Sequence, residues 1–173
     1  FPYSAGADSL IYLKTSYRHR RAFYIKDAKG EHRLKTRDIA IDEQFSYRNG
    51  KIVYSAYESD ARWGWKDYSV IKLLDVQTGK QQTLTHKTKY FTPDISEDGS
   101  LVAAVQFDEN GKSELHILNT NGGTVLNKIH SPEINLFTDP KFLDDKTIIS
   151  AVRLKDGRMY LAKSILPTGE TSQ

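Results

Sequence analysis

Four stretches of this 173-residue chain repeat one another, and that repetition limits the folds open to it more than any single motif does. They are FPYSAGADSLIYL from Phe1, EQFSYRNGKIVYS from Glu43, TPDISEDGSLVAA from Thr92 and DPKFLDDKTIISA from Asp139. Each has an aromatic residue or Ile, usually followed by Ser, then a short polar turn and a β-branched, apolar run. A second block follows each at a similar distance: AFYIKDAKGE, SVIKLLDVQTGK, ELHILNTNGG and MYLAKSILPTGE. Ser4, Ser46, Ser96 and Leu143 mark equivalent positions, spaced 42, 50 and 47 residues apart.

Within each unit, Gly, Asp and Asn clusters divide the sequence into four short strands, a to d. In the third unit these are expected near 92–96, 101–107, 113–119 and 124–129. Strands b and c, such as KIVYSAY and IKLLDV, are apolar at nearly every position instead of alternating, so both of their faces must be covered. One four-stranded sheet cannot cover itself on both sides, but a radial stack of such sheets does so for every middle strand. The expectation is therefore an all-β chain forming a β-propeller of four four-stranded blades, approximately 1–37, 38–89, 90–133 and 134–173, as a partial ring or a small propeller. An irregular β-sandwich is the alternative.

The stretch TPDISEDGSLVAAV followed by NGKSELHILNTNGG resembles the TolB-like, WD-like propeller repeat. In that repeat a Pro, a hydrophobic residue, Ser and an Asp-Gly turn precede an apolar strand, and a later strand ends in Asp or Asn before Gly. The resemblance is strong in the third unit, fair in the first two and weak in the fourth, where PKFLDDKT lacks both the Ser and the Gly. It implies a fold shared by Pal-associated TolB proteins, the propeller portions of peptidases and large secreted bacterial proteins. It also implies a periplasmic or secreted setting, but no particular activity.

Antiparallel connectivity places the a–b and c–d turns on one rim and the b–c and d–a connections on the other. The first rim is trimmed to tight turns such as YRNGK and TNGGT. The second carries TSYRHRR and ESDARWGWKDYS as b–c loops, with KTRDIAIDEQ, THKTKYFTPD and HSPEINLFTDP as long d–a connections. Binding residues concentrate on such loops. Trp63 and Trp65, the only two tryptophans, lie in the longest of them beside Arg62 and Tyr68. Tyr17, Arg18, Arg20 and Arg21 are expected from one neighbouring unit, and His86, Lys89 and Tyr90 from the other. Together they define an aromatic, cationic ligand-binding patch, since Trp, Tyr and Arg supply most binding hot spots. A competing reading folds a tryptophan back onto its own blade. The charge distribution agrees with a basic rim: residues 1–87 hold 16 Lys and Arg against 10 Asp and Glu, and residues 88–173 hold 9 against 12.

Catalytic chemistry is not encoded in any recognisable form. There is no nucleophile elbow, P-loop, dinucleotide fingerprint or zinc-protease motif, so no cofactor and no metal are expected. Cys is absent, which excludes disulfides and thiolate chemistry. DENGKSE has oxygen-rich character but the length of a hairpin rather than a calcium loop. A net charge of +3 without a nucleic-acid module argues against nucleic-acid binding, and no run approaches the roughly 18 apolar residues needed to span a bilayer.

The fourth unit has too little chain left for its own strand d. The expectation is a fragment of a larger ring, a small closed ring, or self-association through exposed end blades. The expected function is that of a non-enzymatic binding or scaffold module that recognises a protein or peptide through the loop-rich rim. The alternatives are an accessory propeller gating a larger peptidase or hydrolase, and a glycan-binding module.

Overall fold

A computed structural model describes residues 2–166, and among them every regular element is a strand. The first sheet contains β1 (Tyr3–Gly6), β2 (Ser9–Ser16), β3 (His19–Asp27) and β4 (Gly30–Thr36). The second contains β5 (Phe45–Arg48), β6 (Lys51–Ser59), β7 (Asp67–Asp75) and β8 (Gln81–Thr83). The third contains β9 (Tyr90–Ile95), β10 (Leu101–Phe107), β11 (Ser113–Asn119) and β12 (Val125–Ile129). The fourth has three strands, β13 (Ile134–Phe142), β14 (Thr147–Leu154) and β15 (Met159–Ile165). Within each sheet, strands pair antiparallel with their sequence neighbours, as in propeller blades. The four-stranded expectation thus holds for three blades, and a fourth strand of the last blade would fall outside the described residues.

The continuous apolar runs divide by parity between two neighbours. On β6, Ile52, Tyr54 and Ala56 pack towards blade one with Ile11 and Phe23. Val53, between them, packs towards blade three with Val102, Ala104 and Leu118. On β10 the next set, Ala103 and Val105, turns to Phe137, Ile148 and Val152 of blade four. Each side of a middle strand thus belongs to a different core, because successive side chains on a strand point to opposite faces. Burial of a Val, Leu, Ile or Phe side chain contributes roughly 1.5–3 kcal/mol, so the inter-blade seams hold the stack together.

Among the described residues the outer faces of the end blades lack that cover. Leu10 on β2 and Met159, Leu161 and Ile165 on β15 are exposed. The short inner strands approach one another in order, β1 with β5, β5 with β9 and β9 with β13. Gln44 Nε2 donates to Asp139 Oδ1 at 2.6 Å, linking the start of the second blade to the inner strand of the fourth. This contact shows an arc curving around a common axis. Ring closure is not found among the described residues.

Turn chemistry explains the trimmed rim. In the β5–β6 hairpin, Arg48 pairs with Lys51, and the two residues between, Asn49 and Gly50, have φ of 46° and 73°. Positive φ at both central positions is the Asn-Gly hairpin turn whose twist matches the flanking strands.

Candidate functional site

The loop between β6 and β7 is organised by Asp60. Its Oδ1 accepts the backbone N–H of Arg62 at 2.8 Å and of Trp63 at 3.0 Å, and its Oδ2 accepts the Tyr68 hydroxyl at 3.0 Å. These donors, the backbone N–H groups first, hold the Asp60 carboxyl below the usual carboxylate range. Asp60 N–H donates to Lys66 O, and Lys66 N–H to Trp63 O, which closes the loop on itself. The loop therefore has internal order without a hydrophobic core of its own.

Neither tryptophan folds back onto the blade. Trp65 is 99% exposed and Trp63 62% exposed, and neither belongs to a core cluster. The Arg62 guanidinium lies 5.6 Å from the Trp63 ring centre, and Lys66 Nζ 5.9 Å from that of Tyr68. Both distances are within cation–π range.

A cleft of about 820 Å³ lies between this loop and blade three. Trp63, Trp65, Lys66 and Asp67 of the β6–β7 hairpin and Lys87 and Lys89 of the following linker line it together with Phe107, Asp108 and Glu109 of the β10–β11 hairpin. Tyr68 contributes to the wall although its ring is mostly buried, with its hydroxyl raised above the ordinary phenol range by burial and by Asp60. The clefts between blades one and two and between blades three and four open on the same rim. They measure about 730 and 550 Å³. Each seam therefore ends in a cleft where b–c and d–a segments meet.

The structure divides the expected patch. Arg20 and Arg21 line the cleft between blades one and two with Arg37, Asp38, Ile39 and Tyr57, and do not reach the tryptophans. TSYRHRR is not a long loop. Ser16 pairs with His19 across a turn of Tyr17 and Arg18, so Arg20 and Arg21 already belong to β3. The polar hairpin continues past the core because its backbone ladder needs no apolar partner. Tyr17 is fully exposed and Arg18 exposed at its tip, and Arg21 Nη2 is 2.5 Å from Glu43 Oε1.

Tyr90 is also corrected. It is 3% exposed on β9, with its hydroxyl on His116, so it belongs to the core rather than the rim. The d–a connections are shorter than the sequence suggests. Tyr90, Phe91 and Ile134–Phe142 are already in strands, and the linkers they leave are pinned to the strands beside them. Ser69 N–H donates to Thr88 O, and Phe107 N–H to Lys89 O. His86 is exposed in one such linker but does not line the tryptophan cleft.

Phe107, Asp108 and Glu109 were missed by sequence reasoning. DENGK is a short hairpin, and its place in the tryptophan cleft depends on blade order. The Asp108 carboxylate accepts the N–H groups of Asn110 and Lys112, which is turn chemistry. Among the described residues no three His, Asp or Glu side chains are placed to hold a metal, and no helix is long and apolar enough to cross a membrane.

Strand order, split cores and common-rim clefts define a β-propeller module, seen as an arc of four blades. Solved structures carry the same fold over nearly the whole chain. TolB from Acinetobacter baumannii matches with a TM-score of 0.63 at 20% identity, over 92% of this chain and 41% of that one. The β-propeller domain of the Trilobed protease from Pyrococcus furiosus, which has an open velcro topology, matches at 0.61 and 17% identity, over 98% and 54%. A puromycin-hydrolyzing peptidase from Mycobacterium tuberculosis matches at 0.66 and 12% identity, over 98% and 27%. The chain thus spans between about a quarter and about half the length of these proteins. No family model and no curated protein sequence matches it.

Proposed function

We propose that this propeller module recognises a protein or peptide through its loop-rich rim, with Trp63 and Trp65 as anchors, and catalyses no reaction itself. One observation supports this reading above the others. Two large aromatic side chains stand in solvent on an ordered loop, beside a cleft lined by both lysines and acids. Exposed Trp on a braced loop binds with little ordering cost, which is the economy of a preorganised hot spot.

The test is titration of immobilised peptide and oligosaccharide panels with the parent chain and with a Trp63→Ala, Trp65→Ala variant. The expected result is peptide binding by the parent and its loss in the variant. Equal binding by both proteins would remove the tryptophan rim from the account, and binding confined to oligosaccharides would replace peptide with glycan.

A second reading is favoured by the likeness to peptidase propellers, where the module would gate a catalytic domain. A peptidase motif in sequence flanking these repeats would support it. The TolB-like repeat favours a periplasmic or secreted setting, which cell fractionation tests.

A further inference from the structure

The tryptophan cleft does not end at blade three. Lys89, Phe107, Asp108 and Glu109 line both it and the cleft between blades three and four, so the two meet over the β10–β11 hairpin. Beyond that shared wall the surface changes character. Phe91 and Phe107 meet edge to face with ring centres 5.5 Å apart. Val105 and Phe137, both buried, lie behind them as part of the seam between the blades. This floor is apolar and backed by core, so it keeps its shape without a ligand.

The polar groups around it are few and unequal. Lys89 and Glu109 on the shared wall are exposed, and neither forms an ion pair among the described residues. Thr92 on the wall has φ of 48°, in the left-handed region that a β-branched residue rarely adopts. Its Oγ1 has no hydrogen-bond partner among the described residues. The same φ of 48° recurs at Asp139 in the corresponding bulge of β13, so it belongs to the repeat, and the preformed apolar cleft is what suits a ligand.

We propose that the joined clefts form one groove for an extended peptide, and that the Phe91–Phe107 floor takes a bulky apolar side chain of that peptide. An acidic residue of the same peptide, towards the tryptophans, pairs with Lys87 or Lys89. The charge layout carries this order: Lys66 and Lys87 line only the tryptophan cleft, Lys89 and Glu109 lie on the shared wall, and the lining beyond that wall carries no charge. The inference rests on the rim-binding reading and adds a specificity subsite to it.

Fluorescein-labelled heptapeptides test it, each with one Phe and, on its N-terminal or its C-terminal side, one Asp. The companions replace Phe with Ala or Asp with Lys. One orientation of the parent peptide is expected to bind, with at least about a tenfold loss on Phe→Ala, the size of one buried aromatic contact. Phe107→Ala in the protein should remove the preference for Phe over Ala. Glu109→Lys, an exposed change on the shared wall, should strengthen binding of the Asp-containing parent peptide. Thermal melting of each variant separates lost binding from lost folding. If Phe and Ala peptides bind alike, and both are lost in the Trp63→Ala, Trp65→Ala variant, the apolar subsite falls while the rim reading stands. If no peptide binds, both fall.

Discussion

The Tyr90 hydroxyl lies 2.7 Å from Nδ1 of His116, across β10, with the two rings edge to face at 5.5 Å. His116 Nε2 is 3.2 Å from Glu114 Oε2. A neutral imidazole protonated at Nε2 satisfies both contacts, donating to Glu114 and accepting from Tyr90.

Burial lowers the His116 pKa below its usual value, and the Glu114 interaction offsets this only in part. The folded protein therefore holds this proton less tightly than the unfolded chain. Its neutral form adds stability that is fully present above the unfolded value near 6.5 and is lost as pH falls below it, by at most about 1.4 kcal/mol per pH unit. Urea midpoints at pH 7.5 and 5.5 should differ more for the parent than for His116→Gln. An equal pH difference in both proteins would contradict this account.

Arg37 and Asp42 form the pair that ties the first d–a linker down. The Arg37 side chain is 1% exposed, and its Nη2 reaches Asp42 Oδ1 at 3.4 Å and the carbonyls of Asp42 and Gln44 at 2.9 Å. Its Nε and Nη1 have no partner among the described residues, so the charge is only partly compensated. Asp42→Ala should cost about 3 kcal/mol or more, since it leaves a buried guanidinium without its counter-charge. The double change Arg37→Met, Asp42→Ala should recover part of that loss in urea denaturation.

Gly123 has φ of 71°, and a Cβ there would overlap the backbone carbonyl of Leu84 in the preceding blade. Gly122 has φ of 91° with open space around it. Gly123→Ala must separate the seam between blades two and three and should cost more than about 3 kcal/mol, whereas Gly122→Ala bears only the conformational penalty of about 1 kcal/mol. Similar melting temperatures for the two variants would argue against close packing at this turn.

Met159, Leu161 and Ile165 lie on one face of β15, turned away from blade three and 69%, 78% and 69% exposed. We propose that this face draws two copies together, as uncovered sheet faces do. Light scattering of the purified chain should show species above monomer mass, and Leu161→Lys should shift them towards monomer. A parent that stays monomeric at all concentrations would oppose it.

The middle blades were legible because their signals are local. The Asn49-Gly50 turn needs only its own backbone preference, and the unbroken apolar run of β6 says that both faces are covered without saying by what. The third unit's strands follow from turns of five residues each, and they lie within two residues of where the sequence places them. The loop of Trp63 and Trp65 was also legible, since its charges, Gly and Ser interrupt the apolar runs of β6 and β7 on either side.

Depth was not legible. Tyr90 and Tyr17 are the same residue type in similarly basic stretches, yet one sits in a core beside His116 and the other is fully exposed at a hairpin tip. Local sequence cannot separate them, because burial depends on which blade stands opposite. The same holds for the split of the cationic patch and for Asp108 and Glu109 sharing a cleft with the tryptophans. The sequence by itself determined strand period, turn type and the need to stack, through backbone preference and side-chain alternation. Only the tertiary structure decided which loops share a cleft, because rotation from blade to blade sets distances between residues that no local signal connects.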